Sequence, residues 1–150
     1  MSNMTKGATW DSKGDPKTEG LTAGVAGTYL QGSIVVYLAA GKITRVPASG
    51  LKRAGIVAET TVISSDDVTN GKKVRVHTGG WHRLPTASAA ATDEGELVYI
   101  NAGAPSDNPA DLRAQGAGST GDQAFGRVKL NDGTYNWVDI EDVAAPATHS

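Results

Sequence analysis

The chain has no cysteine in 150 residues, which removes disulfide staples, thiol nucleophiles and thiolate-based zinc sites. One Phe and two Met stand against 19 Gly, so residues go to turns and close backbone approach rather than to a large aromatic core. Long apolar runs are missing too: the longest, Ile34-Val35-Val36-Tyr37-Leu38-Ala39-Ala40, is far short of the roughly 20 residues a membrane-spanning helix requires. Neither charge is in surplus. Fourteen Lys and Arg against 16 Asp and Glu leave a formal charge of -2, too weak for long-range attraction to nucleic acid or anionic lipid. Neither a nucleic acid nor a membrane is therefore an expected partner. The opening Met1-Ser2-Asn3-Met4-Thr5-Lys6 has a lysine but no apolar segment behind it, and is not expected to be a secretory leader.

What is present is a rhythm of short Val/Ile/Leu/Tyr runs, each ended by a glycine turn, recurring over residues 34–140 with little helical periodicity. The expected fold is mainly β: a compact small β-barrel or β-sandwich-like domain with at most one short helix and an extended N-terminal arm. One domain of this length buries roughly two thirds of its unfolded surface, enough to fold without a metal. Residues 1–20 read as the arm, 21–143 as the β-rich domain and 144–150 as a flexible tail. The arm offers only Met1, Met4, Ala8 and Trp10 as apolar groups among Lys6, Asp11, Lys13, Asp15, Lys17 and Glu19. Such a composition is expected to stay mobile in the free protein and to order on a partner, with Met4 and Trp10 as buried anchors.

Within the domain, a two-residue turn at Ala40-Gly41 sets Leu38 opposite Ile43 and Val35 opposite Val46. Those pairs fall on opposite faces, so this strand pair is expected to be covered on both sides, by the rest of a barrel or by a neighbouring subunit. Residues 56–63 read as one strand, followed by a turn at Asn70-Gly71. Lys73-Val74-Arg75-Val76-His77 alternates as a half-exposed strand, and 96–100 is the cleanest buried one. Asn108-Pro109 opens a helical turn. At Asp132-Gly133 a type I′ turn pairs Leu130 with Tyr135 and Val128 with Trp137 on a core face, leaving Lys129 and Asn136 on the wet face, with a bulge expected beyond Trp137.

No motif for catalysis, cofactor or metal survives its context. Gly116-Ala117-Gly118-Ser119-Thr120-Gly121 spells the dinucleotide fingerprint, but the order of strand and helix around it is inverted. Ser49-Gly50-Leu51-Lys52 spells S-x-x-K without the helix or companion motifs of a serine hydrolase. A turn at Gly79-Gly80 would set His77 opposite His82, two imidazoles with no third ligand. The pairs Asp66-Asp67, Asp93-Glu94 and Glu141-Asp142 lack calcium-loop spacing and read as turn formers.

The order of residues 23–27, 32–38, 54–58, 74–76 with Gly79-Gly80, 95–100 and 125–130 resembles the capsid cement, or head decoration, proteins of tailed bacteriophages. The likeness spans about 22–140 and consists of glycines and β-branched residues. It implies a β-rich structural protein, not an enzyme, that binds the major capsid protein on the outer face of an expanded head, commonly as a trimer, and stabilises it. Such a protein is made in the host cytoplasm and resides in the virion. The interface residues expected on this basis and from the patterning are Met4, Trp10, Val35 and Val46. The competing reading is a carbohydrate-binding or adhesin-type module using Trp81, Tyr135 and Trp137, which the expected core placement of the last two disfavours.

Overall fold

The computed structural model describes residues 3–38, 41–45, 52–100, 106–114 and 124–143. They form strands β1 (Ser12–Lys13), β2 (Thr18–Thr22), β3 (Gly27–Tyr29), β4 (Ile34–Tyr37), β5 (Ile43–Thr44), β6 (Arg53–Val57) and β7 (Thr61–Ile63), helix α1 (Ser65–Thr69), and strands β8 (Lys73–His77), β9 (Trp81–Leu84), β10 (Leu97–Tyr99), β11 (Arg113–Ala114), β12 (Ala124–Asn131) and β13 (Asn136–Asp139). All strand pairs are antiparallel. One sheet runs β1-β9-β13-β12-β10-β11, a second β2-β8-β6-β4-β5, and β3 and β7 form a separate ribbon. The fold is thus mainly β and sandwich-like, and among the described residues there is one short α-helix and no sheet closes into a barrel.

The second sheet is the middle layer because its inner strands β4 and β6 are apolar on both faces. From β4, Ile34 and Val36 enter a core with Leu84, Val98, Phe125, Val128, Val138 and Ile140 of the first sheet. Val35, between them, points the other way into a core with Tyr29, Val57, Ile63, Val74 and Val76, under the ribbon. The expectation of a strand covered on both faces holds, and the cover comes from this chain itself. On β8 the alternation reads as expected, with Val74 and Val76 buried and Lys73 and Arg75 exposed.

Several expected registers are corrected. Across β4 and β5, Tyr37 pairs with Ile43 and Val36 with Thr44, one residue away from the two-residue-turn register; Val46 lies outside the described residues. The single strand expected over 56–63 is interrupted at 58–60, and its halves β6 and β7 enter different layers. The acidic stretch after it is α1. Ser64 Oγ accepts from the Asp67 amide at 3.1 Å and the Asp67 carboxylate accepts from the Ser64 amide at 2.9 Å, a capping box that places Asp66 and Asp67 in the favourable first turn. At Asn108 the expected turn forms as one 3-10 turn, Pro109–Asp111, with the Asn108 side chain accepting from the Ala110 amide.

The last hairpin also differs. Asn131 pairs with Asn136, Leu130 with Trp137 and Val128 with Val138, with the irregularity on β12 between Val128 and Leu130. The reason is the Asp132 carboxylate, which accepts from the amides of Thr134 and Tyr135 and lengthens the loop to 132–135. The bulge sets Val128 and Leu130 on opposite faces, so Val138 and Ile140 fill the core with Val128, Asn136 is buried, and Tyr135 and Trp137 are half-buried on the outer side with Leu130.

The N-terminal segment is no separate arm among the described residues. β2 pairs along β8 from Thr18↔His77 to Thr22↔Lys73, across the boundary expected at 20/21, and β1 pairs with β9. Composition alone undercounts this segment, because edge-strand pairing supplies main-chain bonds that need no apolar side chain.

Candidate functional site

Trp10 packs into its own domain, and Met4 is tied to it through its main chain. The Met4 amide donates to Asp107 Oδ1 at 2.8 Å, and Arg45 Nη2 donates to the Met4 carbonyl at 2.5 Å. Arg45 Nε is hydrogen-bonded and ion-paired to Asp107, whose side chain is 1% exposed, and the Asp107 carbonyl accepts from the Ile34 amide at 2.7 Å. Asp107 thus joins the N-terminal segment, the end of β5 and the start of β4. Trp10 packs on the core between the large sheets, and its indole N–H donates to the Gly32 carbonyl at 2.8 Å. Val35 is fully buried, so its expected role at a subunit interface is corrected: it presents no surface to a partner.

His77 and His82 meet, though not across a hairpin. The chain leaves the middle sheet after β8 and enters the outer one at β9, and this crossing brings the ring centroids to 5.3 Å. His77 Nδ1 bonds Thr18 Oγ1 at 2.9 Å, and His82 Nε2 bonds the Gly79 carbonyl at 3.0 Å. Burial first, then the neighbouring His82 and Arg75, holds His77 below the usual imidazole range. Burial also depresses His82, against the opposing pull of the Gly79 carbonyl and Asp139. Among the described residues no group of three or more His, Asp or Glu is arranged to hold a metal ion.

Of the acidic pairs, Asp66 and Asp67 lie in α1 and not in a loop turn. Asp93 is buried and accepts from the Ala90 amide and from Asn136 Nδ2. Asp142 is held below the carboxylate range by its bond to Lys129 and by Arg127. Ser49 and the 116–121 stretch lie outside the described residues, while Lys52 is exposed.

Two features escaped sequence reasoning. The first is an outer face on β9 and β13. Lys13 Nζ stands 4.9 Å from the Trp137 ring and 5.9 Å from the Trp81 ring, and the Arg83 guanidinium stacks 4.4 Å from Tyr135 while its Nε pairs with Asp132 at 2.5 Å. Asp132 also accepts from Trp137 Nε1 at 3.2 Å. The alternation of Trp81 and Arg83 on β9 was the available signal, once the hairpin register is known. The second is a cleft beside Arg53, treated below. No family model, no curated protein and no solved structure matches the chain.

Proposed function

We propose that this is a structural virion protein of the capsid-cement kind, binding the major capsid protein on the outer face of a tailed-phage head, stabilising the expanded shell, assembling there as trimers and performing no chemistry. The observation that supports this reading most is where the resembling segments fall. Five of the six resembling stretches, 32–38, 54–58, 74–76, 95–100 and 125–130, fold around β4, β6, β8, β10 and β12, inner strands of the two large sheets, while 23–27 leads into the ribbon. The likeness thus resides mainly in the scaffold, and the sheet edges and β7 are left for lattice contacts. On that ribbon Val62 is 65% exposed, an apolar side chain open to a neighbour. Co-sedimentation with undecorated expanded capsids tests the proposal. Saturable binding that Val62→Glu weakens is expected, and failure of the unmodified protein to bind overturns it.

A second reading is favoured by one correction. With Tyr135 and Trp137 on the outer face beside Trp81, the geometric objection to a glycan-binding module is gone. A glycan screen separates the two, since a cement protein is expected to retain no saccharide.

A further inference from the structure

Lys17, Tyr37, Lys52, Arg53, Thr78 and Glu141 line a cleft of about 610 Å³ where the two large sheets part. It opens because the pairing of β8 with β6 ends at Ile56↔His77. At Thr78 the amide donates to the Lys17 carbonyl instead, and the chain then crosses to β9. β6 continues through Arg53 and Ala54 without β8 beside it, and both residues face the cleft.

Arg53 is the feature that calls for a ligand. Its Nε is shut off from solvent, and no group among the described residues accepts a hydrogen bond from it. Desolvation outweighs the through-space attraction of Tyr37, Glu141 and Asp139 and lowers its pKa, the behaviour of a cation short of a counter-charge. Glu19 is already engaged by Thr78 Oγ1 at 2.7 Å and by Lys17 at 3.9 Å. Three cations against two carboxylates line the cleft, an excess that suits one carboxylate better than a doubly charged phosphate. A planar guanidinium matches a carboxylate bidentately, and an incompletely paired strand accepts an extended chain.

We propose that the cleft receives an extended segment of a partner protein, with an Asp or Glu carboxylate bound by Arg53 and the backbone laid along β6 at Arg53 and Ala54. The partner's identity as the major capsid protein rests on the preceding reading; the chemistry of the site does not.

The test titrates the full chain, followed by NMR, with acetyl-Val-Glu-Val-Asp-Val-amide, with its Gln/Asn counterpart and with inorganic phosphate. The acidic peptide is expected to saturate and to shift the Arg53 Nε and Tyr37 signals, with at least tenfold weaker binding for the neutral peptide and for Arg53→Gln. Lys52→Glu at the exposed rim gives the same direction of change should Arg53→Gln fold poorly. Equal binding of both peptides, or phosphate binding as tight as the acidic peptide, overturns the inference. Capsid co-sedimentation separates the two proposals. If Arg53→Gln binds capsids as well as the parent, the capsid protein falls as the cleft's partner and the capsid reading stands. If the parent ignores capsids while the acidic peptide docks at Arg53, the capsid reading falls and the cleft stands.

Discussion

The indole of Trp10 is bonded to the carbonyl of Gly32 at 2.8 Å, and the two residues fit only as this pair. Gly32 has φ +86, and a Cβ there would lie 2.8 Å from Trp10 Nε1 and 2.5 Å from the Ala8 carbonyl oxygen. A residue that must be glycine thus meets a side chain that closes one end of the core between the large sheets. Trp10→Ala is expected to cost about 3 kcal/mol, from lost packing and a freed carbonyl. Thermal melting with limited proteolysis of residues 3–22 checks this. An unchanged melting temperature would mean that main-chain pairing alone docks the segment.

Asn136 and Gly133 exchange the ranks that a two-residue turn would assign them. Asn136 is buried and donates through Nδ2 to Thr86 Oγ1 at 2.8 Å and Asp93 Oδ2 at 3.0 Å, while its Oδ1 accepts from Asn131 at 2.9 Å. Asn136→Leu strands three partners and is expected to cost about 3 kcal/mol. Gly133 has φ +94 but open space around it, so Gly133→Ala is expected to cost only about 1 kcal/mol. Chemical denaturation of the two variants measures the order directly. The reverse order would restore the two-residue register.

Asp107 holds together parts of the chain that sequence distance keeps far apart. With its side chain 1% exposed and Arg45 at 20%, removing one partner leaves a poorly hydrated charge behind. Asp107→Ala is expected to destabilise by about 3 kcal/mol. Arg45→Met is expected to cost about the same, and the double variant much less than their sum. Additive losses in that cycle would show that the pair is not coupled.

The fold class was legible because its signal is local. Alternation on β8 and glycine-bounded apolar runs are properties of a few consecutive residues, and they came out as strands with the expected buried faces at Val74 and Val76. The capping box at Ser64 and Asp67 was equally local, and the Ser-x-x-Asp spacing before Val68 was the signal for α1. Registers were less legible, because a side chain sets them. The Asp132 carboxylate capturing two amides turned a short turn into a longer loop, while the bulge between Val128 and Leu130 put these two residues on opposite faces and left Leu130 and Trp137 on the outer one. The Arg45–Asp107 pair, 62 residues apart, and the lone Arg53 in its cleft exist only once the sheets are stacked. No spacing rule reaches them.

The His77–His82 contact makes stability depend on pH in a defined window. Both imidazoles are depressed in the folded protein, mainly by burial, so the unfolded chain, with imidazoles near about 6.5, takes up protons more readily. Stability is therefore fully present above pH about 7 and falls as pH drops through about 6.5, by up to about 1.4 kcal/mol per pH unit for each group, levelling once the folded groups also protonate. Asp67, Asp132 and Asp142 are depressed carboxylates, held down chiefly by the Ser64 amide, by Arg83 and by Lys129 respectively. Their contributions are present above the unfolded value near 3.9 and are lost only below it, so they leave the interval from pH 7 to 5 untouched. His149 lies outside the described residues and is common to parent and variant. Melting temperatures between pH 7 and 5 are expected to fall for the parent and to fall less for His77→Gln with His82→Gln, whose amides stay neutral and keep a donor for the Gly79 carbonyl. Parallel curves for the two proteins would mean that the crossing from β8 to β9 tolerates a charged imidazole pair.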